Sequence, residues 1–379
     1  MRVLIVHNQL WAHYKSKLFC ELYQQAPQFG LSVHVAQIAL AEKSRLDMGQ
    51  AESIAYLYDY EVLFDDALEN ISTWQRSRAL LAKIRRYRPQ VLNLTGYYDP
   101  AQWVLLFYAK LTGIKVIISS ESNVRDGSRS FLKEKLKQFI LYWADGFFCF
   151  GQSSATYLEK LGVNPAKIWT RKAAVVDNDL IRARYEIAYG ERIKQKQILS
   201  LPRYNFIFVG RLIAPKNLLV LLKAFANLSQ PSEWGLIFLG EGEQKVELQD
   251  FCQQNELSNV SFLAGVEWHK VPEYLALADV LVLPSTSEPW GLVVNEAMVC
   301  GLPVVVSEVC GCVEDLLIDG QNGFVFNPND TDELTQKLRF FVENPAQLVP
   351  MGDASRQLVA PFETHTVAAQ MLESIVDKL

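Results

Sequence analysis

Short apolar runs alternate with amphipathic segments along almost the whole chain. In the first half, the strand-like runs RVLIV, LSVHVAQ, QVLNLT, KVIISS and GFFCF are separated by helical patterns at residues 13–28, 70–87, 101–112 and 129–144. The second half repeats the alternation with NFIFVG, WGLIFLG, VSFLAG, DVLVLP, PVVVS and GFVFNP. Continuous Val, Ile and Leu runs separated by helices are typical of parallel sheets covered on both faces. The pattern therefore predicts two doubly wound, Rossmann-like α/β domains.

A polar and charged stretch at residues 175–203 interrupts this alternation and indicates the domain boundary. We expect a first domain at residues 1–185, a second at 186–361, and a C-terminal helix at 362–379 that packs back towards the first domain. Two such domains facing each other are expected to leave a central cleft outside the carboxyl ends of their strands, where α/β proteins bind ligands.

Composition and charge narrow the class of protein. Half of the 379 residues are apolar and 21% are charged, which is typical of a packed globular chain, and the net charge of −5 argues against a broad nucleic-acid surface. No stretch approaches the ~18 uncharged apolar residues that span a bilayer. The apolar run at the N-terminus is too short for a signal peptide, and the six cysteines are scattered. These features predict a cytoplasmic protein with reduced thiols.

The segment FIFVGRLIAPKN places two cations after a strand. Gly210 allows a tight turn, and Arg211 and Lys216 then stand where the carboxyl edge of the second sheet is expected. Arg offers a fork of donors and Lys a point charge, so the pair could hold a diphosphate. They could equally be solvated cations of an ordinary loop. Neither G-x-G-x-x-G after the first strand nor a Walker A motif occurs, which argues against a dinucleotide enzyme or a P-loop NTPase.

The segment SEPWGLVVNEAM brackets a predicted helix start with two glutamates. The backbone amides of Gly291, Leu292 and Val293 are donors without a partner inside the helix, which makes them a natural phosphate site. Glu296, one turn inside the helix, could accept hydrogen bonds from a ribose diol. Glu288, outside the helix, could meet the group beyond the phosphates. Alternatively, both acids simply complement the helix dipole.

Together, FVGRL…PKN, GEG, SEPWGLVVNEAMVCGLPVV and DGQNGFVF resemble the retaining glycosyltransferases of family four, which have the GT-B fold. The resemblance covers residues 203–345 and includes a complete Glu-x7-Glu pattern from Glu288 to Glu296, whereas the N-terminal half matches only in architecture. It implies an enzyme that moves a sugar from a UDP- or GDP-sugar to an acceptor hydroxyl of a glycan, a lipid-linked sugar or a small molecule. A sugar phosphorylase, a nucleotide-sugar epimerase or a non-catalytic nucleotide-sugar-binding protein on the same fold are the alternatives.

The resemblance also assigns roles to residues. Arg211 and Lys216 would hold the diphosphate and stabilise the leaving group, and Glu288 would contact the transferred sugar. Donor binding is expected at Gly210, Glu241, Gly265, Val266, Gly291, Leu292, Val293 and Glu296. No cofactor and no metal are expected, because enzymes of this family usually need no metal. A literal D-x-D occurs at Asp330–Asp332, but it opens a predicted helix and is better explained as a cap.

The acceptor side departs from the family. Where relatives often carry a histidine after the fourth strand, this chain has Glu121, followed by Asn123 and Arg125. Glu121 is the candidate to orient the acceptor hydroxyl or act as base, although it could simply pair with Arg125. The glycine-rich loop that many relatives have after the first strand is also missing. The acceptor-side candidates in that region are His7, Asn8 and Tyr14.

The segment SRSFLKEKLKQFILYWADGFF has apolar and basic faces. Phe131, Leu132, Leu136, Phe139, Ile140 and Trp143 share one face. The pattern fits a helix on a membrane surface, but it fits a helix packed on a sheet equally well. Because the net charge is acidic, the packed helix is the favoured interpretation.

Overall fold

The structure is a computed structural model, and it describes residues 1–10, 13–43, 56–122, 131–228 and 233–379, with only the backbone at 13–14 and 131–133. The chain forms two compact units. The N-terminal unit contains Met1–Val176 and Pro361–Leu379, and the C-terminal unit contains Asp177–Ala360. Within the described ranges, no helix has the length and apolar character needed to cross a bilayer.

Seven parallel strands form the sheet of the N-terminal unit. They are β1 (Arg2–Gln9), β2 (Ser32–Ala39), β3 (Tyr60–Val62), β4 (Val91–Thr95), β5 (Lys115–Ser120), β6 (Gly146–Cys149) and β7 (Ile168–Thr170). Their order across the sheet is β3-β2-β1-β4-β5-β6-β7. Its helices are α1 (His13–Gln25), α2 (Thr73–Tyr87), α3 (Pro100–Leu111), α4 (Phe131–Tyr142), α5 (Gln152–Lys160) and α15 (Thr364–Lys378).

The helices of this unit cover both faces of the sheet. Because α2, α3, α4 and α5 connect strands that advance in one direction, right-handed crossovers place them on one face. There, Leu4 and Val6 pack in a common core with Leu80, Leu105 and other helical residues. The crossover α1 runs in the opposite direction, and it contacts α15. Both faces of the sheet are therefore shielded from water, which explains the continuous apolar runs of the strands.

Six parallel strands form the sheet of the C-terminal unit, in the order β10-β9-β8-β11-β12-β13. They are β8 (Tyr204–Val209), β9 (Trp234–Leu239), β10 (Val260–Leu263), β11 (Val280–Leu283), β12 (Val304–Ser307) and β13 (Gly323–Phe326). Its helices are α6 (Asn178–Gly190), α7 (Arg192–Ile198), α8 (Leu218–Ala226), α9 (Lys245–Gln254), α10 (Val271–Leu275), α11 (Leu292–Cys300), α12 (Val313–Leu316), α13 (Thr331–Glu343) and α14 (Leu348–Val359). The two sheets confirm the predicted pair of doubly wound α/β domains.

The unit boundaries differ in detail from those predicted at 185 and 361. The helix α6 contacts α10 and α11, so the C-terminal unit begins at Asp177. The chain returns to the N-terminal unit at Pro361, and the Thr364 hydroxyl there donates to the carbonyl of Val176 at 2.5 Å. The charged composition of α6 and α7 resembles a linker, which is why the sequence pattern placed the boundary later.

Candidate functional site

The strand order of the C-terminal unit reverses between β8 and β11, and the loops after these two strands are tied together. The Asn217 side-chain amide donates to the carbonyls of Pro284, at 3.2 Å, and Pro328, at 2.8 Å. The Thr286 amide donates to the carbonyl of Pro215 at 2.9 Å. Asn217 adopts a left-handed conformation, with φ of 58°, immediately before α8. This switch point is where open α/β sheets bind ligands.

Across this junction, Lys216 and Glu288 form an ion pair between Nζ and Oε2. Their side chains are only 19% and 14% exposed, and the Ser285 hydroxyl lies 3.5 Å from the same carboxylate oxygen. Arg211, five residues earlier on the same loop, is exposed. The structure therefore brings together two of the predicted catalytic residues, which are far apart in the sequence.

The start of α11 is held in a defined backbone conformation. Gly291 has φ of 99°, a backbone conformation that favours glycine, and a Cβ there would also come within 2.8 Å of the Leu283 side chain. The buried Trp290 indole donates to Asn295 Oδ1 at 2.8 Å, which ties the loop to the helix. Among the described residues, the amides at positions 291–293 have no hydrogen-bond acceptor. They form the positive end of a nine-residue helix.

Glu296 lies one turn inside α11 and is partly buried. Burial raises the pKa of its carboxyl to about 8. Within the part of the chain that the structure describes, this carboxyl has neither a hydrogen-bond partner nor an ion-pair partner. A desolvated carboxyl without a partner is poised to bond to a ligand, which makes Glu296 a candidate site residue on physical grounds.

The loops after β8, β9 and β10 approach each other closely at the same edge. A Cβ on Gly240 would collide with the carbonyl oxygen of Gly210, and φ of 152° at Gly240 is itself unfavourable for other residues. The Gly240 amide donates to the carbonyl of Leu263 at 3.1 Å. The sequence alone does not explain the first glycine of the GEG motif, because only the folded chain shows which backbone this glycine meets.

The remaining donor-side candidates lie at this edge but are more exposed. Glu241 is exposed and pairs with Lys245, with Nζ 2.9 and 3.1 Å from its two carboxylate oxygens. Gly265 is exposed and Val266 is partly exposed, in the segment after β10. A Cβ on Gly265 would lie 3.7 Å from the Glu241 side chain, so this glycine and Glu241 are neighbours.

The D-x-D at Asp330–Asp332 takes part in a helix cap. Asp330 is the N-cap of α13, and its carboxylate accepts a hydrogen bond from the Glu333 amide at 2.8 Å. This is the capping arrangement that the sequence predicted. Among the described residues, no group of three or more His, Cys, Asp or Glu side chains is placed to hold a metal ion.

In the N-terminal unit, His7 and Asn8 near the carboxyl end of β1 are hydrogen-bonded; His7 is buried and Asn8 is partly buried. His7 Nδ1 lies 2.9 Å from Gln37 Oε1. Burial, reinforced by the nearby charge of Lys15, lowers the pKa of His7 to about 4, so His7 is neutral at physiological pH. Asn8 accepts a hydrogen bond from the Gln102 amide at 3.0 Å. Both side chains are thus positioned by the neighbouring strand and helix.

Glu121, at the end of β5, pairs with Lys15 at 2.9 Å. The Lys15 side chain is 4% exposed, and its Nζ lies 4.4 Å from the centre of the Phe150 ring. Sequence reasoning missed this lysine. The signal was its position in α1, four residues before the buried Phe19, which places a cation on the apolar stripe of the helix.

Some predicted acceptor-side residues lie outside what the structure describes. Asn123 and Arg125, and with them the alternative pairing of Glu121 to Arg125, are outside the described residues. Tyr14 has a described backbone in α1 but not a described side chain.

Residues 190–358 match the family described as "Glycosyl transferases group 1". An uncharacterised glycosyltransferase of Methanocaldococcus jannaschii is 28% identical over 160 residues, which are 42% of this chain and 44% of the relative. The chain spans less than half the length of this relative and of others like it. The Escherichia coli UDP-Gal:alpha-D-GlcNAc-diphosphoundecaprenol alpha-1,3-galactosyltransferase is 24% identical over 71% of each chain.

Among solved structures, Anabaena HepE in complex with UDP superposes with a TM-score of 0.76 at 18% identity, and the alignment covers both chains completely. At that identity the likeness concerns the fold alone. The comparisons support a glycosyltransferase, and the group 1 glycosyl transferase match lies in residues 190–358, which belong to the C-terminal unit.

Proposed function

We propose that this protein is a retaining glycosyltransferase that moves a sugar from a UDP- or GDP-sugar to an acceptor hydroxyl. The observation that carries the proposal is the convergence at the switch point of the C-terminal unit. There Glu288, the unbonded amides at the start of α11 and the partnerless carboxyl of Glu296 lie along one short stretch of chain, and Lys216 reaches that stretch from the loop after β8 through its ion pair with Glu288. The family match of residues 190–358 supports the same function.

The donor would exchange partners with the ion pair. In the free protein, Lys216 and Glu288 neutralise each other. A sugar nucleotide gives each of the two side chains a better partner. Its diphosphate attracts Lys216, and its sugar hydroxyls can donate to Glu288. The amides of residues 291–293 would bond the phosphate oxygens, assisted by the exposed Arg211. Glu296 would then bond the ribose, and the nucleobase would lie near Gly265 and Val266.

The barrier to transfer falls when fixed positive groups face the departing diphosphate. Negative charge develops on that group while the sugar gains oxocarbenium character, so Lys216, Arg211 and the helix amides would stabilise the transition state more than the ground state. The leaving phosphate would help to deprotonate the acceptor on the same face of the sugar, which retains the anomeric configuration. Glu121, held by Lys15, would orient the acceptor hydroxyl. The proposal requires no cofactor and no metal.

A thermal-shift panel of UDP, GDP, ADP and inorganic phosphate tests donor binding. A ligand present at about one hundred times its Kd stabilises the folded state by about 2.7 kcal/mol, so UDP or GDP should raise the Tm by several degrees. Inorganic phosphate alone raising the Tm would instead favour a phosphorylase. The absence of a shift with any nucleoside diphosphate would contradict the proposal.

Two variants test the assigned chemistry. Lys216→Met should lower the rate of sugar transfer by at least about a hundredfold, because it removes a positive charge aimed at the leaving group. Lys223→Met removes an exposed lysine from α8 in the same unit and should leave both the rate and the nucleotide shift unchanged. If the wild-type protein bound UDP or GDP but transferred no sugar to any hydroxyl acceptor, the non-catalytic alternative would apply.

A further inference from the structure

The outer side of α3 and α4 exposes large apolar side chains that touch each other. The rings of Phe107, Phe139 and Trp143 lie in mutual contact, with centroids 6.1 to 6.2 Å apart. Tyr142 packs edge-on against Trp143. Phe139 is 53% exposed and Tyr142 is 78% exposed. We call this surface the aromatic face, and its exposed members are Val104, Phe107, Leu111, Leu136, Phe139 and Tyr142.

The exposed members of the aromatic face are not part of the buried core of the N-terminal unit. From α4, Ile140 and Leu141 enter the core and are almost fully buried. The sequence had placed Ile140 together with Leu136 and Phe139 on a single face, and the structure separates them. The packed-helix interpretation therefore accounts for one side of α4 only. A contiguous exposed apolar surface of this kind marks an interaction site.

The two helices that carry the aromatic face, together with the neighbouring α2, are rich in basic residues. The helices α2, α3 and α4 carry nine Lys or Arg residues and a single acid, Glu134, although the chain as a whole has a net charge of −5. Trp74, Arg78 and Arg85 lie on one stripe of α2 and are exposed. The Arg78 guanidinium lies 5.3 Å from the centre of the Trp74 ring.

Arg85 links this stripe to the neighbouring helix. Its guanidinium lies 5.7 Å from the centre of the Tyr108 ring of α3. Other bases of the three helices are engaged by acids: Lys83 and Arg86 pair with Glu61, and Lys110 pairs with Asp145. Arg78 and Arg85 are exposed cations that lie next to aromatic rings.

A groove adjoins the aromatic face at Tyr142. It has a volume of about 380 Å³ and is bounded by Gln138, Leu141 and Tyr142 of α4, by the turn at residues 161–164, and by Lys167. Like the neighbouring surface, the groove combines apolar side chains with a lysine. The surface with apolar and cationic character thus extends from α2 to the turn after α5.

We propose that the aromatic face docks on an anionic lipid bilayer. Trp, Tyr and Phe rings are suited to the boundary between headgroups and acyl chains, where one part of the surroundings is apolar and the other is wet. Arg and Lys at the same level bind anionic headgroups, each contributing when it lies within a Debye length of the surface. A protein partner would also fit an apolar surface, but the mixture of rings and bases against an acidic chain favours a lipid surface.

Flotation of the purified 379-residue chain with lipid vesicles tests whether the aromatic face binds an anionic bilayer. The protein should float with vesicles of phosphatidylcholine mixed with phosphatidylglycerol, and should remain at the bottom with phosphatidylcholine alone. Added salt should weaken the binding, because it screens the headgroup attraction. No nucleotide or sugar is present in this assay, so its outcome is independent of the proposed transferase activity.

Two double variants separate the apolar and the charged contributions. Phe139→Ser with Tyr142→Ser, and Arg78→Glu with Arg85→Glu, should each raise the Kd for anionic vesicles by about tenfold or more. The matched control is Ile187→Ser with Ile193→Ser in α6 and α7, where both side chains are more than 70% exposed. The control should bind vesicles as the wild type does.

All variants change exposed positions, so circular dichroism and melting should show that they fold normally. Failure of the wild-type protein to float with anionic vesicles would overturn the proposal, as would equal binding to neutral vesicles. An equal loss of binding in the α6–α7 control would also overturn it, because the aromatic face would then have no special role.

Discussion

At the scale of single residues, Glu296 shows how a recognisable position acquires an unusual chemical property. The sequence places it one turn into α11, where a carboxylate would ordinarily be ionised and solvated. In the folded chain, burial without a compensating partner raises its pKa to about 8. Desolvation depends on every atom packed around the group, and no local pattern records those atoms. The helical register of Glu296 was predictable, but its protonation state was not.

This pKa predicts a pH-dependent stability. The carboxyl keeps its proton in the folded state up to about pH 8, whereas in the unfolded chain it loses the proton near its ordinary value of 4.5. Between these values the folded state binds more protons, so the free energy of unfolding falls as the pH rises. Glutamine cannot ionise, so in Glu296→Gln the free energy of unfolding should fall less as the pH rises. We expect the difference to be about 2 to 4 kcal/mol, allowing for the partial exposure of the side chain.

Urea unfolding of the wild type and Glu296→Gln at about pH 5 and about pH 8 measures the effect. The two proteins should differ more at the higher pH, where the variant is the more stable. Glu243→Gln, at an exposed position, should follow the wild type at both values. Parallel pH curves for the wild type and Glu296→Gln would show that Glu296 is not desolvated.

At the scale of elements, the carboxyl edge of the C-terminal sheet depends on close backbone contact between loops. Gly240 follows β9 and lies against the carbonyl of Gly210, which follows β8. The Leu212 amide donates to the carbonyl of Glu241 at 2.8 Å, so the two loops form one layer. The sequence showed that glycines end both strands, because the apolar runs stop there. The sequence did not show that Gly240 must be glycine because the backbone of the loop after β8 lies against it.

Gly240→Ala should therefore destabilise the C-terminal unit by more than the cost of placing an alanine at a positive φ. Gly320→Ala is the matched control, since Gly320 also has positive φ, 76°, but a Cβ there meets nothing within 4 Å. We expect the control to cost about 1 to 2 kcal/mol, the penalty of a left-handed residue. Gly240→Ala should cost at least about 1 to 3 kcal/mol more, because the Cβ also strikes a carbonyl. Chemical denaturation measures both, and equal costs would contradict the close contact.

At the scale of the whole molecule, the N-terminal unit is completed by the last residues of the chain. After building the C-terminal unit, the chain returns, and α15 packs on α1. Leu372 of α15 is completely buried. Gln25 of α1 donates to the carbonyl of His365 at 3.1 Å, which adds a polar contact to the apolar one. The N-terminal unit is therefore built from two segments, Met1–Val176 and Pro361–Leu379.

Leu372→Ala should weaken the N-terminal unit selectively. Removing a buried leucine side chain costs about 2 to 5 kcal/mol, and the loss should appear as faster amide exchange in α1 and the strands beneath it. Val376→Ala, an exposed position on the same helix, should change exchange little. Amide hydrogen exchange resolves the two units. A loss of protection in the C-terminal unit instead would contradict this division.

The sequence by itself determined the class of fold, most of the strands and the loops that carry the candidate site. Periodic apolar runs, glycine turns and helix-start signals act over a few residues, so they can be recognised without the partner segments. The edge strands β3 and β7, three residues each, were missed because they are too short to show a period.

Only the tertiary structure decided which charges meet and which surfaces remain exposed. It paired Lys216 with Glu288 and Lys15 with Glu121, and it left the aromatic face of α3 and α4 on the outside. These outcomes depend on contacts between segments far apart in the chain and on the solvent that each group loses. Amphipathic periodicity shows that a helix has two sides, but only the packed neighbours decide how much of each side water still reaches.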